Sequence, residues 1–241
     1  MLIVGLTGGI ACGKSTVSQE LQRKYKLTVV DADLIAREVV EPGRPAYNKI
    51  VKAFKDVPDL VNATDKSLNR ATLGQVVFHD RRRLRTLNSI VHPAVKWEIA
   101  KQILRAYISL RSLVILDVPL LFESQLYLVC GLIVTVSTTP ELQVERLLKR
   151  NPELTAKDAE NRIGLQMPNA ERNYRSDIVI DNSGTLQQLH QQIESVVYEV
   201  KPSKLWTLID LFPPVGVLSA LFTFIIRRMT EKFKGTKPKR E

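Results

Sequence analysis

The sequence predicts an α/β fold with a doubly wound parallel sheet, because short apolar runs alternate along the chain with stretches of helical periodicity. The runs that indicate strands are residues 2–6, 27–30, 113–116, 132–136 and 178–180. Unbroken apolar runs such as the third are typical of parallel strands buried on both faces. A glycine-rich turn after the first run also predicts an anion site at the carboxyl edge of this sheet.

That turn has the spacing of a Walker A phosphate-binding loop. Residues 8–15 have the sequence Gly-Gly-Ile-Ala-Cys-Gly-Lys-Ser. Val17 and Leu21 recur at helical spacing after the loop, so its backbone N–H groups and a helix dipole favour an anion. Lys14 supplies a charge for the β- and γ-phosphates, and Ser15 is placed to ligate Mg²⁺. The sequence therefore predicts a P-loop NTPase fold that binds a nucleoside triphosphate.

Composition narrows the class of protein further. The chain has 241 residues and a formal net charge of +10, of which residues 201–241 carry +6 through nine basic and three acidic side chains. The first 200 residues are thus only mildly basic, which suits a phosphorylated substrate and does not require a nucleic acid. The two cysteines have neither metal-ligand spacing nor a disulfide framework, which favours a reducing, cytoplasmic compartment.

Carboxylates follow two of the predicted strands. Asp31 and Asp33 end the second run, where a kinase acting on an alcohol needs a carboxylate to take the hydroxyl proton. In extended chain both would point to the same side; the alternative is that Asp33 caps a helix starting at Leu34. Asp117 follows the third run, where a Walker B aspartate would hold Mg²⁺ through water.

Two helical regions complete the pattern. Residues 41–110 are mainly helical in periodicity, with breaks expected at three prolines, Pro93 the last of them. Residues 140–150 and 155–167 predict a helical hairpin that carries arginines. Such a hairpin can close over bound phosphates as a lid and supply positive charge in the transition state. The alternative for each arginine is a solvated charged surface.

Taken in order, these motifs resemble the dephospho-CoA kinase family, and its fungal members most, over residues 1 to about 200. The motifs that carry the resemblance are Gly5 to Ile10 running into Gly13-Lys14-Ser15-Thr16, Asp31-Ala32-Asp33, Ala36-Arg37, Val40 to Gly43, Asn69-Arg70, Leu73-Gly74, His92-Pro93, Asp117 to Glu123, Arg162 to Gln166, and Asp181-Asn182. The resemblance implies phosphorylation of the ribose 3′-hydroxyl of dephospho-CoA by ATP with Mg²⁺, which yields coenzyme A and ADP in the last step of coenzyme A biosynthesis.

The resemblance also implies roles for individual residues. Asp33 would be the catalytic base, Lys14 and Arg150 the other catalytic groups, Arg37 a substrate contact and Ser15 the metal ligand. The ATP-binding residues would be Gly8, Gly9, Ile10, Ala11, Cys12, Gly13, Lys14, Ser15, Thr16, Arg146 and Arg162. The region of about 40–110 would hold the pantetheine end of the substrate, and about 140–170 would be the lid.

Departures from the family pattern and several alternatives accompany this interpretation. Position 12 is cysteine where the family usually has serine or another small residue, which raises the question of a redox-sensitive loop. A guanine-specific switch normally carries an Asn-Lys-x-Asp run, and Asn48-Lys49 continues instead into Ile-Val. A membrane-tethered scaffold without catalysis is a further alternative, and kinases of other small alcohols are the alternative at the level of the enzyme.

Residues 201–241 extend beyond the kinase-like region. Leu211 to Ile226 contains no charged residue, and Arg227-Arg228 begins a basic tail. Sixteen helical residues span about 24 Å, short of a ~30 Å hydrocarbon core. We therefore expect a membrane-associating helix, shallowly inserted or a short tilted anchor, that attaches a cytoplasmic enzyme to the endoplasmic reticulum or mitochondrial outer membrane. The alternatives are a helix docked on the domain or on a protein partner. Association with other enzymes of coenzyme A synthesis is left open.

Overall fold

The computed structural model describes residues 1–203, 209–210 and 212–234, and within them a five-stranded sheet of order β2-β3-β1-β4-β5. The strands are β1 (Leu2–Gly8), β2 (Thr28–Asp31), β3 (Leu113–Asp117), β4 (Leu132–Ser137) and β5 (Ile178–Asp181). β1 pairs in parallel with β3 and β4, and β4 pairs in parallel with β5. The predicted α/β fold is confirmed, since each apolar run became a strand.

Ten helices accompany these strands in the described part of the chain. They are α1 (Lys14–Arg23), α2 (Ala32–Glu38), α3 (Pro45–Ala53), α4 (Arg70–His79), α5 (Arg81–Ile108), α6 (Pro140–Arg150), α7 (Ala156–Gly164), α8 (Asn169–Arg175), α9 (Leu186–Val200) and α10 (Pro213–Lys234). A short 3₁₀ helix, Leu126–Val129, precedes β4. Among residues 1–203, 209–210 and 212–234, we find no helix with the length and apolar character needed to cross a bilayer.

The chain divides into two compact units. The first comprises Met1–Val30 and Ala106–Glu241, and the second comprises Asp31–Arg105. The core of the first unit is formed by the sheet with α1 and α9, and its buried side chains include Leu6, Ile115 and Ile193. Because this core holds the strands rigidly, it fixes the loops at their carboxyl ends.

The second unit has its own apolar core. Ile50 of α3 and Phe54, which directly follows α3, are buried there, and Leu87 and Ile90 of α5 pack against this core. The expected break at Pro93 is wrong, because α5 continues through that residue to Ile108. A proline removes a single backbone donor, and the apolar contacts on the helix before it outweigh that loss.

Candidate active site

The phosphate-binding loop joins β1 to α1 in a conformation that requires glycine. Gly13, just before α1, has φ 89°, and a Cβ added there would lie 2.1 Å from Asn182 Nδ2. Its neighbour Ala11 also has a positive φ, 61°. The Cys12 amide donates to the Gly9 carbonyl at 3.2 Å, which closes the turn. The Walker A spacing therefore reflects a backbone that a side chain at position 13 would prevent from forming.

Lys14 is oriented by a buried carboxylate. Its Nζ lies 2.6 Å from Asp117 Oδ1, and the side chains are 14% and 3% exposed. Asp117 is the last residue of β3, and Lys14 is the first of α1, so the register of β3 beside β1 brings them together. A paired ammonium group held at the mouth of the loop is suited to phosphate oxygens.

The first turn of α1 adds a helix N-terminus to this site. Ser15 and Thr16 are exposed there, and α1 carries no acidic residue in its first turn. The Thr16 and Val17 amides donate to the Gly13 carbonyl. The positive end of the helix dipole and the exposed hydroxyls make this position favourable for an anion and for a cation bound to that anion.

Four polar residues that the sequence reasoning did not assign hold the crest of the loop from outside it. The Gln166 Oε1 accepts from the Ile10 amide at 2.8 Å, and the Gln143 Nε2 donates to the Ile10 carbonyl at 2.7 Å. Both backbone groups of the crest residue are therefore fixed by side chains more than 130 positions away in sequence. We call Gln143, Gln166, Asn169 and Arg172 the loop brace.

Asn169 and Arg172, both on α8, complete the loop brace. The Asn169 Nδ2 donates to Gln143 Oε1 at 2.7 Å and to the Thr138 carbonyl at 3.1 Å. The Arg172 guanidinium, 1% exposed, donates to Asn169 Oδ1 and to the Met167 carbonyl, both at 2.8 Å. Its pKa is lowered, chiefly by burial, yet arginine stays charged at neutral pH. The loop brace therefore sets a buried positive charge behind the loop.

Gly9 also lies close to three side chains of the loop brace. A Cβ at Gly9 would lie 2.9 Å from both Asn169 Oδ1 and Gln143 Nε2, and 3.1 Å from Arg172 Nη1. The absence of a side chain at Gly9 is thus explained, because side chains from α6 and α8 occupy the space where its Cβ would lie. A weak signal was present in the sequence, since Gln166 ends one of the recognised motifs, but nothing local connects it to the loop.

The unusual Cys12 is enclosed by the same groups. Its side chain is 0% exposed, and its Sγ lies 3.8 Å from Asn169 Nδ2. Burial raises the pKa of the Cys12 thiol, and the nearby Arg172 charge opposes this only in part. Because oxidation requires an accessible thiolate, these surroundings favour a packing role over a redox role.

Arg146 is brought to the loop through Asn182. The Asn182 Nδ2 donates to the Cys12 carbonyl at 2.9 Å, and Arg146 Nη2 donates to the Asn182 carbonyl at 2.9 Å. The Arg146 Nη1 is buried without a hydrogen-bond partner among the described residues. A buried donor without a partner beside the loop is consistent with the predicted contact to ATP.

The other predicted lid arginines are exposed. Arg150 lies in the last turn of α6 and Arg162 in the last turn of α7, and these two helices pack against each other. The Thr155 capping box starts α7 and fixes where the second helix begins. The helical hairpin is therefore present, whereas the roles of its exposed arginines in catalysis stay predictions.

In the second unit, the two aspartates of the Asp-Ala-Asp motif have different surroundings. Asp31 is the N-cap of α2, and its Oδ1 accepts from the Asp33 and Leu34 amides at 2.9 and 3.0 Å. The expectation that both carboxylates share one side of an extended chain is wrong, because the chain becomes helical at Ala32. The alternative of Asp33 as the cap is also wrong. Asp33 and Arg37 are exposed on α2.

Comparison with known proteins places this site in a family. The model of the family described as dephospho-CoA kinase matches residues 2–188. The chain belongs to the dephospho-CoA kinase family. It is 51% identical to dephospho-CoA kinase CAB5 of Saccharomyces cerevisiae over 98% of both chains, and 44% identical to a Bacillus cereus dephospho-CoA kinase over 87% of this chain and 99% of the relative. The alignment with the yeast kinase thus also reaches into the C-terminal extension.

Two solved structures share the fold of this member of the dephospho-CoA kinase family. A dephospho-CoA kinase from Campylobacter jejuni covers 83% of this chain and 96% of its own, with a TM-score of 0.64 at 25% identity. A Thermus thermophilus protein covers 83% of this chain and 98% of its own, with a TM-score of 0.68 at 30% identity. The predicted P-loop kinase fold and the predicted family are confirmed.

Proposed function

We propose that this chain transfers the γ-phosphoryl group of ATP to the ribose 3′-hydroxyl of dephospho-CoA and so completes coenzyme A synthesis. The observation that carries the proposal is the family match over residues 2–188, joined to a phosphate loop whose crest is held by the loop brace. In the reaction the ribose oxygen bonds to the γ-phosphorus, the bond from that phosphorus to the β,γ-bridging oxygen breaks, and ADP leaves.

The phosphate loop binds the triphosphate in this proposal. Lys14, oriented by Asp117 at 2.6 Å, neutralises charge on the β- and γ-phosphates. The N-terminus of α1 contributes the positive end of its dipole, and Arg146 contributes its buried Nη1. Preorganised donors stabilise charge that develops in the transition state, since they need not reorient during the reaction.

The residues at the loop also suit Mg²⁺. The described residues contain no cluster of three metal-ligating side chains, and Mg²⁺ beside a nucleotide takes most of its ligands from phosphate and water. The Ser15 hydroxyl would be its protein ligand and Asp117 would act through water. When bound, the ion supplies Lewis-acid stabilisation of the phosphate oxygens. Lys14 would hold those oxygens through its ammonium group, and Ser15 would hold them through the ion.

Asp33 takes the proton from the ribose 3′-hydroxyl in this proposal. Two observations support this role for Asp33. The residue belongs to the family motif, and its carboxylate is exposed, whereas the Asp31 carboxylate is occupied as the cap of α2. Arg37, one turn later on α2, would bind an anionic part of the substrate. Arg150 and Arg162 of the α6–α7 hairpin would add positive charge and exclude water, so that the alcohol is phosphorylated in preference to water.

ADP release by the purified protein tests the reaction. We expect Mg-ATP to give ADP with dephospho-CoA, with coenzyme A as the product, and not with adenosine, pantetheine or no acceptor. Release with adenosine alone would instead favour a kinase of another small alcohol. Absence of acceptor-dependent release from a folded, ATP-binding protein would favour the scaffold alternative.

We also propose that the chain works in the cytoplasm at the cytosolic face of the endoplasmic reticulum or mitochondrial outer membrane. Support comes from the uncharged Leu211–Ile226 segment and its basic flank. Deletion of residues 205–241 followed by cell fractionation tests this location. We expect the membrane-bound share to fall, and an unchanged share would contradict the proposal.

A further inference from the structure

Contacts with the rest of the first unit fix how helix α10 is rotated about its own axis. Arg227, 15% exposed, donates to the carbonyls of Cys130 and Gly131 at 3.1 and 2.7 Å and forms a bidentate pair with Asp177. Near the other end, a Cβ on Gly216 would lie 2.9 Å from the Tyr107 hydroxyl oxygen, so the backbone approaches that ring closely. α10 also packs against the 3₁₀ helix. These contacts determine which face of α10 turns outward.

The contacts place α10 at the amino edge of the sheet. Cys130 and Gly131 directly precede β4, and Asp177 directly precedes β5 and also accepts from the Ile133 amide at 2.7 Å. The phosphate loop leaves β1 at the carboxyl edge. β1 has seven residues, and at about 3.3 Å per residue the two edges lie roughly 20 Å apart. A surface bound at α10 therefore leaves the phosphate loop uncovered.

The outward face of α10 is an apolar stripe. Its side chains are 52% to 66% exposed and lie at helical spacing: Val217, Leu218, Leu221, Phe222, Ile225 and Met229. At 100° per residue they span about 140° of the helix surface, roughly opposite Gly216 and Arg227. Isolated exposed apolar residues are common, but a continuous stripe of this size marks an interaction surface.

Charge selects the kind of surface that covers this stripe. Arg228 is exposed at the stripe's edge, and the sequence from 227 to 240 contains seven basic residues and a single acidic one, Glu231. Arg227 is neutralised by Asp177, so it serves attachment rather than binding. An apolar stripe that is followed in sequence by a basic segment matches an anionic lipid surface, where apolar side chains enter the acyl boundary and basic ones meet headgroups.

We propose that the apolar stripe of α10 binds an anionic lipid surface in the plane of that surface, with the amino edge of the sheet facing the lipid and the phosphate loop facing the solvent. This inference rests on the proposed membrane location and adds the contact surface, its lipid class and the orientation of the catalytic edge. It concerns the docked helix and does not depend on the identity of the kinase substrate.

Vesicle flotation of the full chain tests the contact. We expect binding to phosphatidylcholine vesicles that contain phosphatidylserine, and much weaker binding to phosphatidylcholine alone. The double variant Leu221→Ser, Phe222→Ser should lower the partition coefficient by at least about tenfold, because two apolar side chains no longer enter the lipid. Arg228→Gln should lower it by about fivefold. Leu186→Ser at the start of α9, which removes a 61% exposed leucine side chain at the carboxyl edge of the sheet, is the matched control.

Kinase activity separates failure of this inference from failure of the proposed reaction. The double variant should turn over as the wild type does in solution, and vesicle-bound wild type should keep the turnover of free protein. Equal vesicle binding by the wild type and the double variant would overturn the lipid contact. The lipid contact would also be overturned if the wild type bound no vesicles and formed a dimer that became a monomer in the double variant. Loss of turnover when the protein is bound to vesicles would overturn the proposed orientation.

Discussion

Replacing Asn169 by leucine removes the hub of the loop brace while keeping a side chain of similar size. Three hydrogen bonds to nitrogen and oxygen partners disappear: those from Nδ2 to Gln143 Oε1 and to the Thr138 carbonyl, and the one that Oδ1 accepts from Arg172. The weaker contacts with Cys12 Sγ are lost as well. The Arg172 guanidinium is 1% exposed, and its Nε already lacks a partner among the described residues. The substitution thus leaves a second unpaired donor on a buried cation.

The size of the effect follows from these contacts. An unpaired buried polar group costs about 1–3 kcal/mol, and the Arg172 donor and the Gln143 acceptor both become unpaired. We expect Asn169→Leu to lose about 3–4 kcal/mol, which lowers the melting temperature by about 10 °C in a chain of this length. Because Gln143 then releases the Ile10 carbonyl, the loop crest is less preorganised, and we expect KM for ATP to rise about tenfold, or about 1.4 kcal/mol.

Urea unfolding and steady-state kinetics with ATP measure these two effects. Asn173→Leu is the matched control, because Asn173 lies one turn further along α8 and donates to Ser137 Oγ at 3.1 Å rather than to the loop brace. It should lose about 1 kcal/mol, the worth of a single hydrogen bond, and leave KM for ATP unchanged. Equal KM values for the wild type and Asn169→Leu, or equal shifts in both variants, would refute the role assigned to the loop brace.

Four further substitutions test the site and its lid. Lys14→Ala should lower turnover by at least about 100-fold through lost phosphate stabilisation, and near-normal turnover in the ADP assay would contradict the loop assignment. Asp33→Asn should abolish turnover but retain ATP binding by calorimetry, whereas Asp31→Asn should mainly lower stability because it weakens the α2 cap; the reverse pattern would exchange their roles. Donors on Thr155 hold the pKa of Asp158 below its usual value, so Asp158 stabilises the fold above its unfolded pKa of about 3.9, and this stabilisation is lost as the pH falls through the lower folded value. The melting temperature of Asp158→Asn should therefore be lower than that of the wild type at neutral pH and equal to it in strong acid. A difference between the two melting temperatures that stays constant with pH would show that the ionisation of Asp158 does not contribute.

Local patterns were enough to predict the strands and the phosphate loop. An unbroken apolar run such as residues 113–116 is stable only as a strand covered on both faces, and the loop requires glycine at position 13 for its positive φ. The helical hairpin was also predictable, because its apolar spacing is a property of neighbouring residues. In each case the determining interactions lie within a few positions along the chain.

Other features depend on distant contacts and were missed or misread. Which of Asp31 and Asp33 caps α2 depends on where the chain turns helical, and the passage of α5 through Pro93 depends on packing around that helix. The inward direction of Arg227 within a basic run depends on the Asp177 carboxylate and two carbonyls beside it.

By itself the sequence determined a parallel α/β sheet, a triphosphate loop and the motifs of the dephospho-CoA kinase family, because each is encoded by residue type at fixed short spacing. Only the tertiary structure decided how that loop is held. The loop brace joins residues 9 and 10 to residues 143 through 172, and a hydrogen bond across such a separation depends on the packing of whole helices against the sheet rather than on any local preference of the chain.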